Sequence, residues 1–277
     1  MNRVARNAVT VGVLLAVTLI SPVWAQSVSL VGPQTQGGLL VGKAPPETEI
    51  HFEGERLRVS ASGEFLLGFA RDAAPAARID IVYPDGSRER RVIPVTQRQY
   101  DIQRIDGLPP RQVTPSATDL ERIRAENALV ARARAKRDER SDYRRGFVWP
   151  ARGRITGVYG SQRILNGEAR RPHYGVDVAG PVGTTVVAPA AGIVTLAHPD
   201  MFFSGGTLIV DHGRGLSSSF LHLSRLLVRE GDRVEQGQKI AEIGATGRVS
   251  GPHLDWRMNL RDVRIDPQLL VGSMPER

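Results

Sequence analysis

The sequence of 277 residues carries a net charge of +8, with 41% hydrophobic residues, 24% charged residues and no cysteine. At about 150 residues per domain that length predicts two domains, and the composition excludes a disordered tail, a collagen-like fibre and a multi-span membrane protein. Without a thiol no disulfide staples the chain, and any nucleophile or metal ligand has to be His, Asp, Glu, Ser, Lys or Tyr.

The chain opens with Arg3 and Arg6, an apolar run from Ala8 to Ile20, a break at Pro22, and small residues around Val23-Trp24-Ala25. A bilayer span needs roughly 20 apolar residues. This shorter run, with its basic start, therefore reads as a secretory signal over residues 1–25. No cysteine follows it, which argues against a lipoprotein, and export implies a periplasmic or secreted protein. An exported basic chain meets polyanions other than nucleic acid, such as anionic lipid and wall polymers.

Residues 26–97 alternate apolar and polar side chains between turn signals. Ile50 and Phe52 precede Glu53-Gly54, Ser62-Gly63 precedes Phe65, Leu67 and Phe69, and Pro84-Asp85-Gly86 joins Ile79/Ile81/Tyr83 to Val92/Ile93/Val95. Period-two alternation at this spacing predicts a small antiparallel β-sandwich, read as a spacer or binding domain.

Residues 98–142 read as a linker. Gly107, Pro109, Pro110 and Pro115 exclude a helix in its first part. A helix is expected to start at Ser116 or Thr118, because Thr118-Asp119-Leu120-Glu121 has the spacing of a capping box. The strongly basic stretch from Arg132 to Arg145 reads as a solvated linker helix, with contact to a membrane or wall surface as the alternative. From residue 143 to 277 short strand-like runs (Val186-Val187, Ile193–Thr195, Thr207–Val210, Ser218–Leu221) alternate with glycines, predicting a compact β-rich domain. The fold class is mainly all-β.

Five of the six histidines, His173, His198, His212, His222 and His253, fall in that last domain. His173 and Asp177 stand four apart around Gly175. His253 and Asp255 stand two apart, so on a strand both face one side while Leu254 faces the other. His222 lies among apolar residues in Phe220-Leu221-His222-Leu223. His198 and His212 fit no ligand pattern, and His212 reads as a turn histidine near the groove. Ser217–Ser219 have no general base beside them, which argues against a serine hydrolase. Lys239 lacks the hairpin context of a biotinyl or lipoyl carrier.

Residues 147–270 resemble the LytM-type (M23, lysostaphin-like) zinc metallopeptidase family. The resemblance rests on Gly157-Val158-Tyr159-Gly160, His173-x-x-x-Asp177, Val187-Ala188-Pro189-x-x-Gly192 and Phe220-x-His222-Leu223. It continues through Gly231-Asp232-x-Val234-x-x-Gly237-Gln238-x-Ile240, Gly244-x-Thr246-Gly247 and Gly251-Pro252-His253-Leu254-Asp255. It implies that His173 and Asp177 ligate zinc, that His222 and His253 are catalytic, and that the third ligand falls on Asp255, where the family has His. Phe220 also stands where the family has Tyr. Two carboxylates in the ligand set would acidify a bound water less than one and would admit Mn²⁺ or Fe²⁺ beside Zn²⁺. The implied activity is hydrolysis of peptide bonds in peptidoglycan. The alternative is a non-catalytic domain that binds peptidoglycan or activates a cell-wall amidase or another hydrolase.

Overall fold

The structure, a computed structural model, describes residues 27–105, 116–165 and 167–275. The expected signal segment lies outside the described residues. Among those described, no helix is long and apolar enough to cross a membrane.

Seven strands build the N-terminal sandwich: β1 (Ser29–Val31), β2 (Leu39–Lys43), β3 (Glu49–Phe52), β4 (Glu55–Leu57), β5 (Glu64–Gly68), β6 (Ala76–Val82) and β7 (Arg88–Pro94). One sheet has the order β1-β2-β5 and the other β4-β3-β6-β7, every pair antiparallel. The two-residue turn Glu53-Gly54 takes positive φ at both positions (+49° and +86°), the twist that closes a tight hairpin. Leu40, Ile50, Phe65, Leu67, Phe69, Ile79, Ile81 and Ile93 fill the space between the sheets.

Strand β5 is buried along its whole length, and its alternation explains why. Phe65 and Leu67 point into the sandwich, whereas Leu66 joins the core of the C-terminal domain. A Cβ at Gly68 would come within 2.6 Å of Ile265 Cδ1, so the absent side chain lets the two domains approach.

The linker is more ordered than its prolines suggest. Strand β8 (Ile102–Ile105) pairs in parallel with β10 (Gln162–Leu165), which turns back on β11 (Glu168–Ala169). No helix forms over residues 98–105, while Gly107, Pro109, Pro110 and Pro115 lie outside the described residues; β10 offers an open edge that satisfies the backbone of β8, a non-local partner that local composition does not reveal. Helix α1 (Ala117–Arg134) starts at Ser116, whose hydroxyl and the Asp119 carboxylate cap each other's backbone N–H groups. The capping box is thus Ser116–Asp119, two residues before the expected one. Leu129, Val130 and Ala133 pack on Leu196, Met201 and Ile209.

The basic stretch is not one solvated helix. The helix ends at Arg134, and Arg140 and Arg144 reach acids: Arg140 pairs with Asp142 and Asp211, and Arg144 with Glu64 at 2.7 Å. Burial works to raise the Glu64 carboxyl, but hydrogen bonds from Arg144, Tyr143 and Ser141 outweigh it and hold the group below its usual range. A depressed carboxylate stabilises the fold above its unfolded pKa, about 4.3, and loses that contribution as pH falls through the folded value. Wild type is therefore expected to lose stability below about pH 4.3 more steeply than Glu64→Gln. Urea unfolding midpoints between pH 3 and 6 check this, and parallel curves would remove Glu64 from the acid response.

The C-terminal domain is built on β9 (Ile155–Gly157), β12 (Gly175–Ala179), β13 (Thr185–Val187), β14 (Gly192–Met201), β15 (Gly205–Asp211), β16 (Leu216–Leu226), β17 (Arg233–Val234), β18 (Lys239–Ile243), β19 (His253–Leu260) and β20 (Val263–Ile265). A short helix, α2 (Gln268–Val271), closes the described chain. The main sheet runs β17-β14-β15-β16-β19-β12-β9, with β18 carrying β13 on one edge of β16 and β20 extending β19. Leu254, Trp256, Met258 and Leu260 of β19 point into the core with Val176, Val178, Leu208, Phe220, Ile240 and Ile243. His253, Asp255, Arg257 and Asn259 therefore line the opposite face.

Candidate metal centre and histidine pair

Register places the acidic groups of the site. Asp177 of β12 lies directly opposite Asp255 of β19, so both carboxylates stand on the face away from the Trp256 core. His173, just before β12, brings its Nε2 to 3.2 Å from Asp177 Oδ1. Both atoms are buried, and neither is aligned for a hydrogen bond with any partner. Two ligand atoms on a tetrahedral zinc stand about 3.3 Å apart, given metal–ligand distances of about 2.0–2.1 Å. An orphaned nitrogen and oxygen at that separation fit two corners of such a site. Donor atoms of His173, Asp177 and Asp255 all fall within 4.8 Å of one another.

Asp255 is fully buried and takes hydrogen bonds on both oxygens from Arg257, with Nε at 3.0 Å from each and Nη2 on Oδ2. Burial alone would raise the Asp255 carboxyl, but the Arg257 charge holds it below the ordinary range. A carboxylate has about four lone-pair sites, so it can accept these bonds and still face a cation. The donor set accordingly fits a divalent metal. Arg257 changes the charge balance expected from sequence, because its cation offsets the second carboxylate. The signal for it was present: Arg257 follows Asp255 by two residues on one strand and so shares its face.

His222 reaches the site by an irregularity. Leu221 is the residue of β16 paired with Asp255, so strict alternation would turn His222 toward the core. Instead His222 sits at φ +66° where the pairing of β16 with β15 shifts register between Phe220 and Leu223, and the bulge re-aims its ring. The His222 and His253 rings lie 4.9 Å apart. The Nδ1–H of His222 donates to the Thr246 carbonyl at 2.9 Å, and that of His253 donates to the Gly251 carbonyl at 2.8 Å. A carbonyl only accepts, so each ring keeps its proton on Nδ1 and offers the Nε2 lone pair elsewhere. His253 Nε2 lies 3.8 Å from Asp177 Oδ1. Burial lowers the His222 pKa, favouring the neutral base.

Two glycines make room for the carboxylates. A Cβ at Gly157 would fall 2.2 Å from Asp177 Oδ2, and one at Gly175 would fall 2.3 Å from Asp255 Oδ1. Gly157→Ala is expected to displace the Asp177 carboxylate and weaken zinc binding by roughly 10- to 100-fold, the usual scale for disturbing a ligand's support. Competition with a chromophoric chelator reads that change, and unaltered affinity would mean that Asp177 is not a ligand.

The remaining groups lie elsewhere. His212 opens the β15–β16 turn as expected, but its side chain is completely buried in the core, with Nδ1–H donating to the Ala191 carbonyl and Nε2 accepting from the Ser218 hydroxyl, each at 2.7 Å. Burial pushes its pKa down to about 4. Ser218 thus does have an imidazole beside it, contrary to expectation, but both side chains lie inside the core, out of reach of a substrate. His198 accepts from the Asp200 backbone on the rim of β14, and Phe220 is a core residue opposite Trp256.

The β-rich domain thus gathers a His/Asp/Asp group that could hold a metal ion and two tautomer-locked histidines. Comparison supplies a family for this part of the chain: the description "Peptidase family M23" matches residues 171–267, so the C-terminal domain is similar to that family. Peptidoglycan DD-endopeptidase ShyA of Vibrio cholerae is 40% identical over 92 residues, which is 32% of this chain and 21% of that protein. The Lipoprotein NlpD/LppB homolog of Pseudomonas aeruginosa is 39% identical over 102 residues, 37% of this chain and 32% of that protein. The chain thus spans a third or less of the length of these curated relatives. A crystal structure described as a peptidase M23 from Pseudomonas aeruginosa shares 28% identity at a TM-score of 0.65, covering 86% of this chain and 95% of that one. That likeness extends through both domains.

Proposed function

We propose that the chain is an exported, metal-dependent endopeptidase that hydrolyses peptide bonds of peptidoglycan. The observation that carries this reading is the orphaned pair of His173 Nε2 and Asp177 Oδ1 at 3.2 Å, with Asp255 beside them and two locked histidines facing them. The family match and relatives named as peptidoglycan endopeptidases support the substrate class. The same relatives and the signal-like residues 1–25 support a periplasmic or secreted location.

His173, Asp177 and Asp255 would hold the metal, with zinc favoured by the family and Mn²⁺ or Fe²⁺ admitted by the oxygen-rich donor set. When bound, the cation supplies Lewis-acid polarisation of the scissile carbonyl and lowers the pKa of the attacking water. The Nε2 lone pair of one of the two histidines, His222 or His253, would take the proton from that water, and the Nε2–H so formed would donate to the developing oxyanion. As the water oxygen bonds to the carbonyl carbon, the C–N bond breaks and the same histidine returns the proton to the leaving amine.

One observation favours a second reading. Arg257 already neutralises the second carboxylate, Asp255, so the domain can fold around this site without a metal and act as a binder or as the activator of a partner hydrolase. Digestion of purified sacculi, with and without chelator and read by muropeptide mass, separates the two. Chelator-sensitive loss of cross-linked dimers supports the enzyme, and retained sacculus binding without cleavage supports the regulator.

A further inference from the structure

A second site lies where the two domains and the linker meet. Arg56 and Arg58 from the β4 region, Arg137 after α1, Arg214 in the β15–β16 turn and Arg261 in the β19–β20 turn surround a cavity of about 180 Å³ floored by Leu66. None of the metal-centre residues lines it. The Arg261 N–H donates to the Gly215 carbonyl at 2.7 Å, which locks the two turns together.

The charges in this lining are incompletely matched. Arg56 pairs with Glu49 at 2.8 Å, Glu139 is shared between Arg58 at 2.9 Å and Arg214 at 2.7 Å, and Arg214 also lies 3.9 Å from Glu64. Among the described residues Arg137 and Arg261 make no salt bridge. Arg137 spends its Nη1 on the carbonyls of Arg134 and Lys136. The Arg214 side chain is only 9% exposed, yet its Nη1 is buried without a hydrogen-bond partner. Burial, and after it the Arg137 charge, lower the pKa of Arg261, which shows how closely the cations crowd. Like charges held together around an open volume call for an anion.

We propose that this cavity binds a phosphoryl group, as inorganic phosphate or as the phosphate of a small ester, and that occupancy clamps the two domains. Guanidinium forks match phosphate oxygens with paired hydrogen bonds. A phosphate ester carries a charge of about −1.5 to −2 at pH 7, which suits the two unpaired cations Arg137 and Arg261 better than a single carboxylate does. The volume equals the liquid share of about six waters, enough for a tetrahedral oxyanion with some of its hydration.

The test is thermal unfolding and calorimetry of the full mature chain titrated with inorganic phosphate, glycerol phosphate or acetate, against chloride at equal ionic strength. A saturable rise in Tm with phosphate, binding at least tenfold tighter than acetate, is expected. That rise persists in His173→Ala, which removes the metal centre as a competing anion site, and binding weakens at least tenfold in Arg137→Gln/Arg261→Gln. Should that double variant fail to fold, Arg56→Gln/Arg58→Gln changes two other guanidiniums of the lining and serves in its place. No rise beyond chloride, or a rise that the arginine variants leave intact, overturns the proposal. Co-sedimentation with phosphatidylglycerol vesicles in the absence of a phosphate response also overturns it, since the arginines would then serve an extended anionic surface.

Discussion

Arg257→Gln is expected to lower the stability of the metal-free protein by about 3–5 kcal/mol, the cost of leaving a buried carboxylate without its ion-pair partner. The Asp255 side chain is 3% exposed and has no other cationic partner among the described salt bridges. The same substitution is expected to strengthen zinc binding. One unit charge removed from about 5 Å of a dication, at an effective dielectric of about 20, changes the interaction by about 6 kcal/mol before relaxation and solvent offset it, so a gain in affinity of at least ten- to hundredfold is expected. Cleavage at neutral pH moves the other way, because a more negative donor set acidifies the attacking water less. Urea unfolding with chelator, chelator competition and sacculus digestion read the three effects separately. If zinc affinity falls together with stability, Arg257 holds Asp255 in position and does not balance its charge. Asp255→His alone leaves Arg257 as an uncompensated cation, whereas Asp255→His/Arg257→Gln restores the overall charge and is expected to bind zinc more tightly than the single variant.

Where function depends on alternation within one strand, the residues themselves were informative. His253 and Asp255 share a face because side chains alternate along β19, and Ile79, Ile81 and Ile93 enter the sandwich core on the same logic. Other features required a partner distant in sequence. The parallel pairing of β8 with β10, the burial of Leu66 against the second domain and the shift of His212 into the core all depend on long-range packing. His222 is the instructive case. Its motif was recognisable, but the left-handed backbone and the shift in register against β15 that carry its ring to the groove break the period-two rule, and no local residue pattern announces them. Arg257 was different again: strand alternation already placed it beside Asp255, and only the charge of the pair had gone uncounted.

That bulge also decides how the histidine pair should be tested. An alanine at position 222 would remove the imidazole and at the same time leave a residue poorly suited to φ +66°. Asn tolerates the left-handed region, so His222→Asn removes the Nε2 lone pair with little added backbone strain. Cleavage is expected to fall by about 10²- to 10⁴-fold, the range for a lost acid–base group, and His253→Ala is expected to do the same. Zinc content should stay at the wild-type level in both, since neither ring belongs to the His173/Asp177/Asp255 cluster. Burial already pushes His222 below its usual pKa of 6.5, and a cation nearby shifts it in the same direction. A base that stays neutral to lower pH keeps working there, so the acid limb of cleavage in the wild type is expected below the ordinary histidine range. Mass-spectrometric metal content beside muropeptide release makes the outcome decisive: if either variant loses zinc along with activity, that histidine is itself a ligand and Asp255, already satisfied by Arg257, leaves the ligand set.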